Sequence, residues 1–200
     1  STTHPIEIDV EKKVINYEDA VGLLKIEYDT AWKHASKLWN IVKVMSLNPN
    51  TLQGSMRFYK TIMFGKSPLS RVQREMLATV VSSINNCTYW IRAHANDLRV
   101  EVAGETFDSE TADTFVSKIA KDWKTVSLNS KDEALCAFAE KLTLAPNSMT
   151  ENDINQLVDL GFTHTAVHDA VQVIGYFNYI NRVAEALNVD FESEVRCWEK

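Results

Sequence analysis

Two hundred residues, 45% of them apolar, are enough for one domain with a substantial core. A net charge of −6 excludes binding to a phosphate backbone as the main role, and no apolar run approaches the roughly 18 residues that a membrane span needs. Six Gly and four Pro are few for this length, so turns are scarce and long helices are expected.

Ser1 to Val14 is polar and lacks periodic apolar positions, which reads as an arm lying over the body or over a neighbour. It has no basic start followed by an apolar segment, so no export signal is read there. The odd, widely spaced set Cys87, Cys136 and Cys197 fits a reducing compartment better than a disulfide scaffold, and the expected location is cytoplasmic.

Helical spacing starts near Tyr17 and runs through Leu24, Tyr28, Ala31 and Trp32 to Trp39. Asn48-Pro49-Asn50 breaks it, because a residue before proline avoids helical angles. Leu52, Met56, Tyr59, Ile62 and Met63 give a second helix ending before Gly65. After the loop Gly65 to Ser70, Ser70 is expected as an N-cap, with Gln73 completing a capping box. Met76, Leu77, Val80, Val81 and Ile84 line that helix until Asn85-Asn86 interrupts it. Asn86 then reads as the next N-cap, with Cys87 in the first turn.

Further helices are predicted from Ser109 to Trp123 and from Ser130 through Leu142. A short one follows Thr150, with Asp153 at its third position, and ends at Gly161. Thr163 caps a long helix whose apolar positions, from Val167 to Leu187, spread widely around the cylinder. No segment alternates like a strand, so the fold class is all-α, a single domain over residues 1–200. A weak internal echo at an offset of 93 residues lays Gln73 to Trp90 over Ala166 to Val183 and Asn85 over Asn178.

Chemistry concentrates in Glu75, Cys87, Tyr89, Trp90, Arg92 and His94. Cys87 and His94 are seven apart, which returns to within roughly 20° of one helix face, about 10 Å along the axis, with Trp90 between them. A thiol in the first turn of a helix meets the positive end of the macrodipole, which lowers its pKa. Glu75 folds back towards it across the Asn85-Asn86 break.

The run from Ser67 to Cys87 resembles the core motif of the carboxymuconolactone decarboxylase and alkylhydroperoxidase D-like superfamily, particularly its peroxidase-related branch. That motif is a glutamate, a Cys-x-x-Cys twelve residues later, and a histidine four residues after the second cysteine. Glu75, Cys87 and His94 match it in type and spacing. Gly175-Tyr176-Phe177-Asn178-Tyr179-Ile180-Asn181-Arg182 resembles a second signature of the branch, as Glu140-Lys141-Leu142-Thr143 resembles a third, and the likeness spans roughly Trp39 to Asp190. The resemblance implies a helical bundle that forms a homo-oligomer. In dithiol members one sulfur is oxidised by a hydroperoxide and the other resolves it, while the glutamate and histidine relay protons.

At the second cysteine position stands Trp90, which cannot close a disulfide. Three readings stay open. Cys87 acts alone on an organic hydroperoxide, with an external thiol as reductant and His94 and Glu75 as proton-handling groups. Alternatively, Glu75 and His94 perform non-redox acid–base chemistry on a small carbon acid, with Trp90 and Tyr89 as pocket residues. Third, the site is degenerate and the chain is a binding or structural oligomer. Each residue also has a plainer role: Cys87 as a small buried hydrophobe, Glu75 paired with Arg71 or Arg74, His94 as a hydrogen-bonded core residue, Trp90 as filling.

His164 and His168 share a helix face, but nothing of the HExxH kind accompanies them, and they read as a surface pair. Asn178, Asn181 and Arg182 interrupt an apolar helix and need partners. No phosphate cradle, haem or flavin motif occurs, so neither an organic cofactor nor a metal is implied, and the expected ligand is a small molecule.

Overall fold

The computed structural model describes residues 14–104 and 106–198. The expected N-terminal arm falls almost entirely outside them. The described helices are α1 (Gly22–Ala35), α2 (Asn40–Val44), α3 (Pro49–Phe64), α4 (Arg71–Ile84), α5 (Thr88–Val102), α6 (Ser109–Lys121), α7 (Ser130–Leu144), α8 (Glu151–Asp159) and α9 (His164–Ala186). Among the described residues the sole β feature is an isolated bridge between Ala103 and Phe107, so the class is all-α. No helix among them is long and apolar enough to cross a membrane.

α4 is the axis of the bundle. Its capping box forms as the sequence requires: Ser70 Oγ accepts from Gln73 N at 3.0 Å, and Gln73 Oε1 accepts from Ser70 N at 3.0 Å. Every residue from Arg74 to Ser82 is buried, because α5, α6, α7 and α9 surround the helix. A helix buried on all sides normally carries apolar residues only. The buried Arg74, Glu75, Thr79 and Ser82 therefore each need a partner inside the protein.

Two expectations at helix ends are corrected. The single helix expected over Tyr17 to Trp39 is broken: Tyr17–Asp19 is a 3-10 turn, α1 ends at Ser36 in the left-handed region (φ 57°), and α2 starts a new direction at Asn40. The N-cap before α5 is Cys87, not Asn86, which takes the left-handed conformation (φ 52°) that turns the chain. α3 stops at Gly65, where the chain turns extended, and only glycine fits there because a Cβ would lie 2.3 Å from the Thr61 carbonyl oxygen. Its last carbonyls are taken up by arginines of α4: Arg71 bonds to Met63, and Arg74 bonds to Gly65 at 2.8 Å and Ile62 at 3.2 Å.

The two members of the 93-residue echo lie against each other, and Asn85 donates to Asn178 Oδ1 at 3.0 Å and to Asn181 Oδ1 at 3.1 Å. Asn178 donates to Thr143 Oγ1 at 3.1 Å and Asn181 to Ser82 Oγ at 3.2 Å, so these amides bind α4, α7 and α9 together. The C-terminal segment crosses α5. There Glu192 accepts from Asn40 N at 2.6 Å and Tyr89 at 3.0 Å, Phe191 stacks on Tyr89, and Trp198 is buried.

Candidate active site

α4 and α5 run back to back from the Asn85-Asn86 turn, which carries Glu75 and His94 to the same level. Glu75 Oε2 lies 2.6 Å from His94 Nδ1, and the side chains are 0% and 1% exposed. The other carboxylate oxygen accepts from Arg71 at 2.7 Å, one helical turn earlier on α4. Arg71 also lies 3.5 Å from Glu101 and stacks on Phe64, so the buried carboxylate is tied to the molecular surface through one guanidinium.

Burial by itself pulls the His94 pKa down, but the adjacent Glu75 carboxylate outweighs it and the net shift is upward. An ionised carboxylate only accepts, so the 2.6 Å contact assigns a hydrogen to Nδ1. Nε2, buried as well, has no hydrogen-bond partner in the protein. The ring is held flat by Trp90, stacked at 5.2 Å, and by Phe177, edge-on at 4.6 Å.

His94 forms part of the wall of a cavity of about 280 Å³, which Tyr89 and Trp90 also line. The opposite wall comes from α1, α2 and α3, including Trp39, Met45 and Tyr59. Asp97, one turn beyond His94, contributes a carboxyl whose Oδ2 is 3.7 Å from Nδ1. Desolvation against the wall and the nearby Glu75 carboxylate push its pKa up to about 6. The sequence reading missed Asp97, although the i, i+3 spacing from His94 is a usable signal. Tyr59 and the α1–α2 wall have no local signal, since tertiary packing alone brings them in.

The expected ionised thiol is not found. Cys87 is 0% exposed, its Sγ lies 3.8 Å from the Asn181 carbonyl oxygen, and it is not among the residues lining the cavity. Burial, the largest influence, pushes its pKa up to about 12. As the cap residue it sits where the helix N-terminus would stabilise an anion, but exclusion of water outweighs that. Trp90 does face the cavity, with Nε1 donating to the Ile180 carbonyl at 3.2 Å. Arg92 covers the Phe191 ring. His168 is exposed and pairs with its neighbour Asp169 at 3.2 Å.

Among the described residues, Glu75, His94 and Asp97 bring one donor atom each within 4.8 Å of the others. A cation there would have to break the Glu75–His94 contact and lie beside Arg71. That donor set suits an internal ion pair better than a metal.

A carboxymuconolactone decarboxylase family profile matches residues 49–107, the stretch that holds Glu75, Cys87, Trp90 and His94. An uncharacterized peroxidase-related protein from Silicibacter sp. TM1040 superposes with a TM-score of 0.77 at 27% identity, over 91% of this chain and 93% of that one. The chain is thus similar to the carboxymuconolactone decarboxylase family over that stretch, and its fold as a whole is like that of the peroxidase-related protein. An alkylhydroperoxidase core protein from Ralstonia eutropha JMP134 shares the fold, with a TM-score of 0.80 at 20% identity over 96% of this chain and 95% of that one. So does the debrominase Bmp8, with a TM-score of 0.72 at 16% identity over 90% of each chain. Among curated proteins none matches the sequence significantly.

Proposed function

We propose that this protein is an acid–base enzyme acting on a small carbon acid held in the aromatic cavity, with His94 as the proton-transferring group. The observation that carries the reading is the buried 2.6 Å Glu75–His94 pair, whose second nitrogen, Nε2, is buried without a protein partner on a residue of the cavity wall. A neutral His94 takes a proton from a C–H next to a carbonyl through Nε2. Glu75 stabilises the resulting imidazolium through Nδ1, and the same nitrogen returns the proton to the substrate. The Asp97 carboxyl, 3.7 Å from Nδ1, adds a second acidic group beside that nitrogen and supports the protonated ring. Glu75 is fixed in turn by Arg71, so the imidazole is presented in one tautomer and one orientation.

Hydroperoxide reduction by Cys87 with an external thiol draws support from the peroxidase-related relative. It requires the sulfur to ionise where burial opposes the anion and to meet a peroxide away from the cavity. Both readings are tested by two substrates. β-Tetralone, an uncharged ketone with acidic C–H bonds, is followed by NMR for deuterium exchange from D2O, and cumene hydroperoxide is followed for consumption with a thiol present. The acid–base reading predicts enzyme-dependent exchange that falls roughly 10²- to 10³-fold in His94→Asn and persists in Cys87→Ser. Exchange indifferent to His94, or hydroperoxide turnover lost in Cys87→Ser, overturns it.

A further inference from the structure

The cavity wall carries six aromatic residues, Trp39, Tyr59, Phe64, Tyr89, Trp90 and Tyr176, and neither lysine nor arginine. The nearest guanidinium, Arg71, is committed to Glu75, the Met63 carbonyl, Glu101 and the Phe64 ring. His34 stands on the wall as a second imidazole, but burial, with Lys60 and Arg71 nearby, lowers its pKa and keeps it neutral. The phenols stay protonated: burial raises the pKa of each of Tyr59, Tyr89 and Tyr176. Two of them are already engaged, Tyr89 with Ile41 N and Glu192, Tyr176 with Ser55. The charge of a protonated His94 is balanced by Glu75 directly behind it, so the formal charge left at the wall is the Asp97 carboxyl.

We infer that the cavity takes an uncharged, flat substrate of one or two rings, oriented by one polar edge at His94 Nε2, and rejects carboxylates of the same size. A benzene-sized ring occupies a dry cavity of about 150 Å³, so about 280 Å³ holds one substituted ring or two fused rings. An aromatic wall offers stacking to such a ligand. A carboxylate entering this space loses its hydration, finds no lysine or arginine to receive it and a His94 already neutralised by Glu75, and meets Asp97 as a like charge. Rejection comes from the composition of the wall. The orientation at Nε2 rests on the acid–base reading above.

The test is a binding titration with indole, benzoate and benzylamine at neutral pH. Intrinsic fluorescence reports affinity in the benzoate and benzylamine arms, the ¹⁵N resonances of His94 report contact, and ligand-observed NMR reports affinity for all three. Indole is expected to bind at least tenfold more tightly than benzoate and to shift His94 Nε2. Ala35→Phe, which fills the cavity from α1, is expected to weaken indole at least tenfold while leaving the Glu75–His94 contact intact. Benzoate binding as tightly as indole overturns the charge selection, whatever becomes of the acid–base reading. Indole binding undiminished in Ala35→Phe overturns the location. Indole that binds, is expelled by Ala35→Phe and leaves the His94 resonances unmoved upholds charge selection, and overturns both the orientation and the acid–base reading that supplied it.

Discussion

Burial acts on Cys87 and on His94 with opposite outcomes. At Cys87 a backbone hydrogen bond from Trp90 is too little to offset the loss of water, and the thiol is held neutral with its pKa pushed up to about 12. At His94 a carboxylate 2.6 Å away reverses the effect, and the proton is held more firmly than in water. The cysteine that matches the motif in number is therefore buried with its thiol held protonated, while the histidine seven positions on is shifted towards its protonated form. Iodoacetamide on the native protein is expected to modify exposed Cys197 and to spare Cys87 and Cys136, which should react at least about a hundredfold more slowly until the chain is denatured. Peptide mass mapping reads the result, and rapid native alkylation of Cys87 would restore it as a nucleophile.

The helices divide into ends that the sequence specifies locally and ends that packing decides. Ser70 with Gln73, Thr163 before α9, and Asn48 before Pro49 are capped by side chains within three residues, so their signals are readable in the chain itself. Ser36 adopts a left-handed conformation with no local motif that demands it, and the turn it makes builds the far wall of the cavity. The pairing of Glu75 with His94 was legible through the motif spacing. Exclusion of Cys87 from the cavity was not, because it depends on Asn181 and Ile180 of α9, some ninety residues away. The amide network at the α4–α5 turn fixes this arrangement. Asn85→Ala leaves the buried Asn181 Oδ1 without its donor, and a loss of about 1–3 kcal/mol is expected in urea unfolding with an unchanged m-value.

Among the described residues a fully buried carboxylate and imidazole lie together where α4 and α5 meet, joined to the surface by the partly exposed Arg71 guanidinium. Packing alone would favour hydrocarbon at those positions, since buried ion pairs seldom repay their loss of hydration. Departures from a consistent core concentrate at functional sites, and here the departure borders the cavity. It also couples the site to folding. Because the His94 pKa is raised in the folded chain, its contribution to stability is fully present below about pH 6.5 and is lost as pH rises through the folded value. The most direct measurement of the central claim is a ¹⁵N NMR titration of His94 in the intact protein and in Glu75→Gln. The account predicts an imidazolium in the native protein that persists above the ordinary histidine midpoint, Nδ1 protonated throughout, and a lower midpoint in the variant. A native His94 that titrates at or below the ordinary value, or one that does not respond to Glu75→Gln, would contradict it.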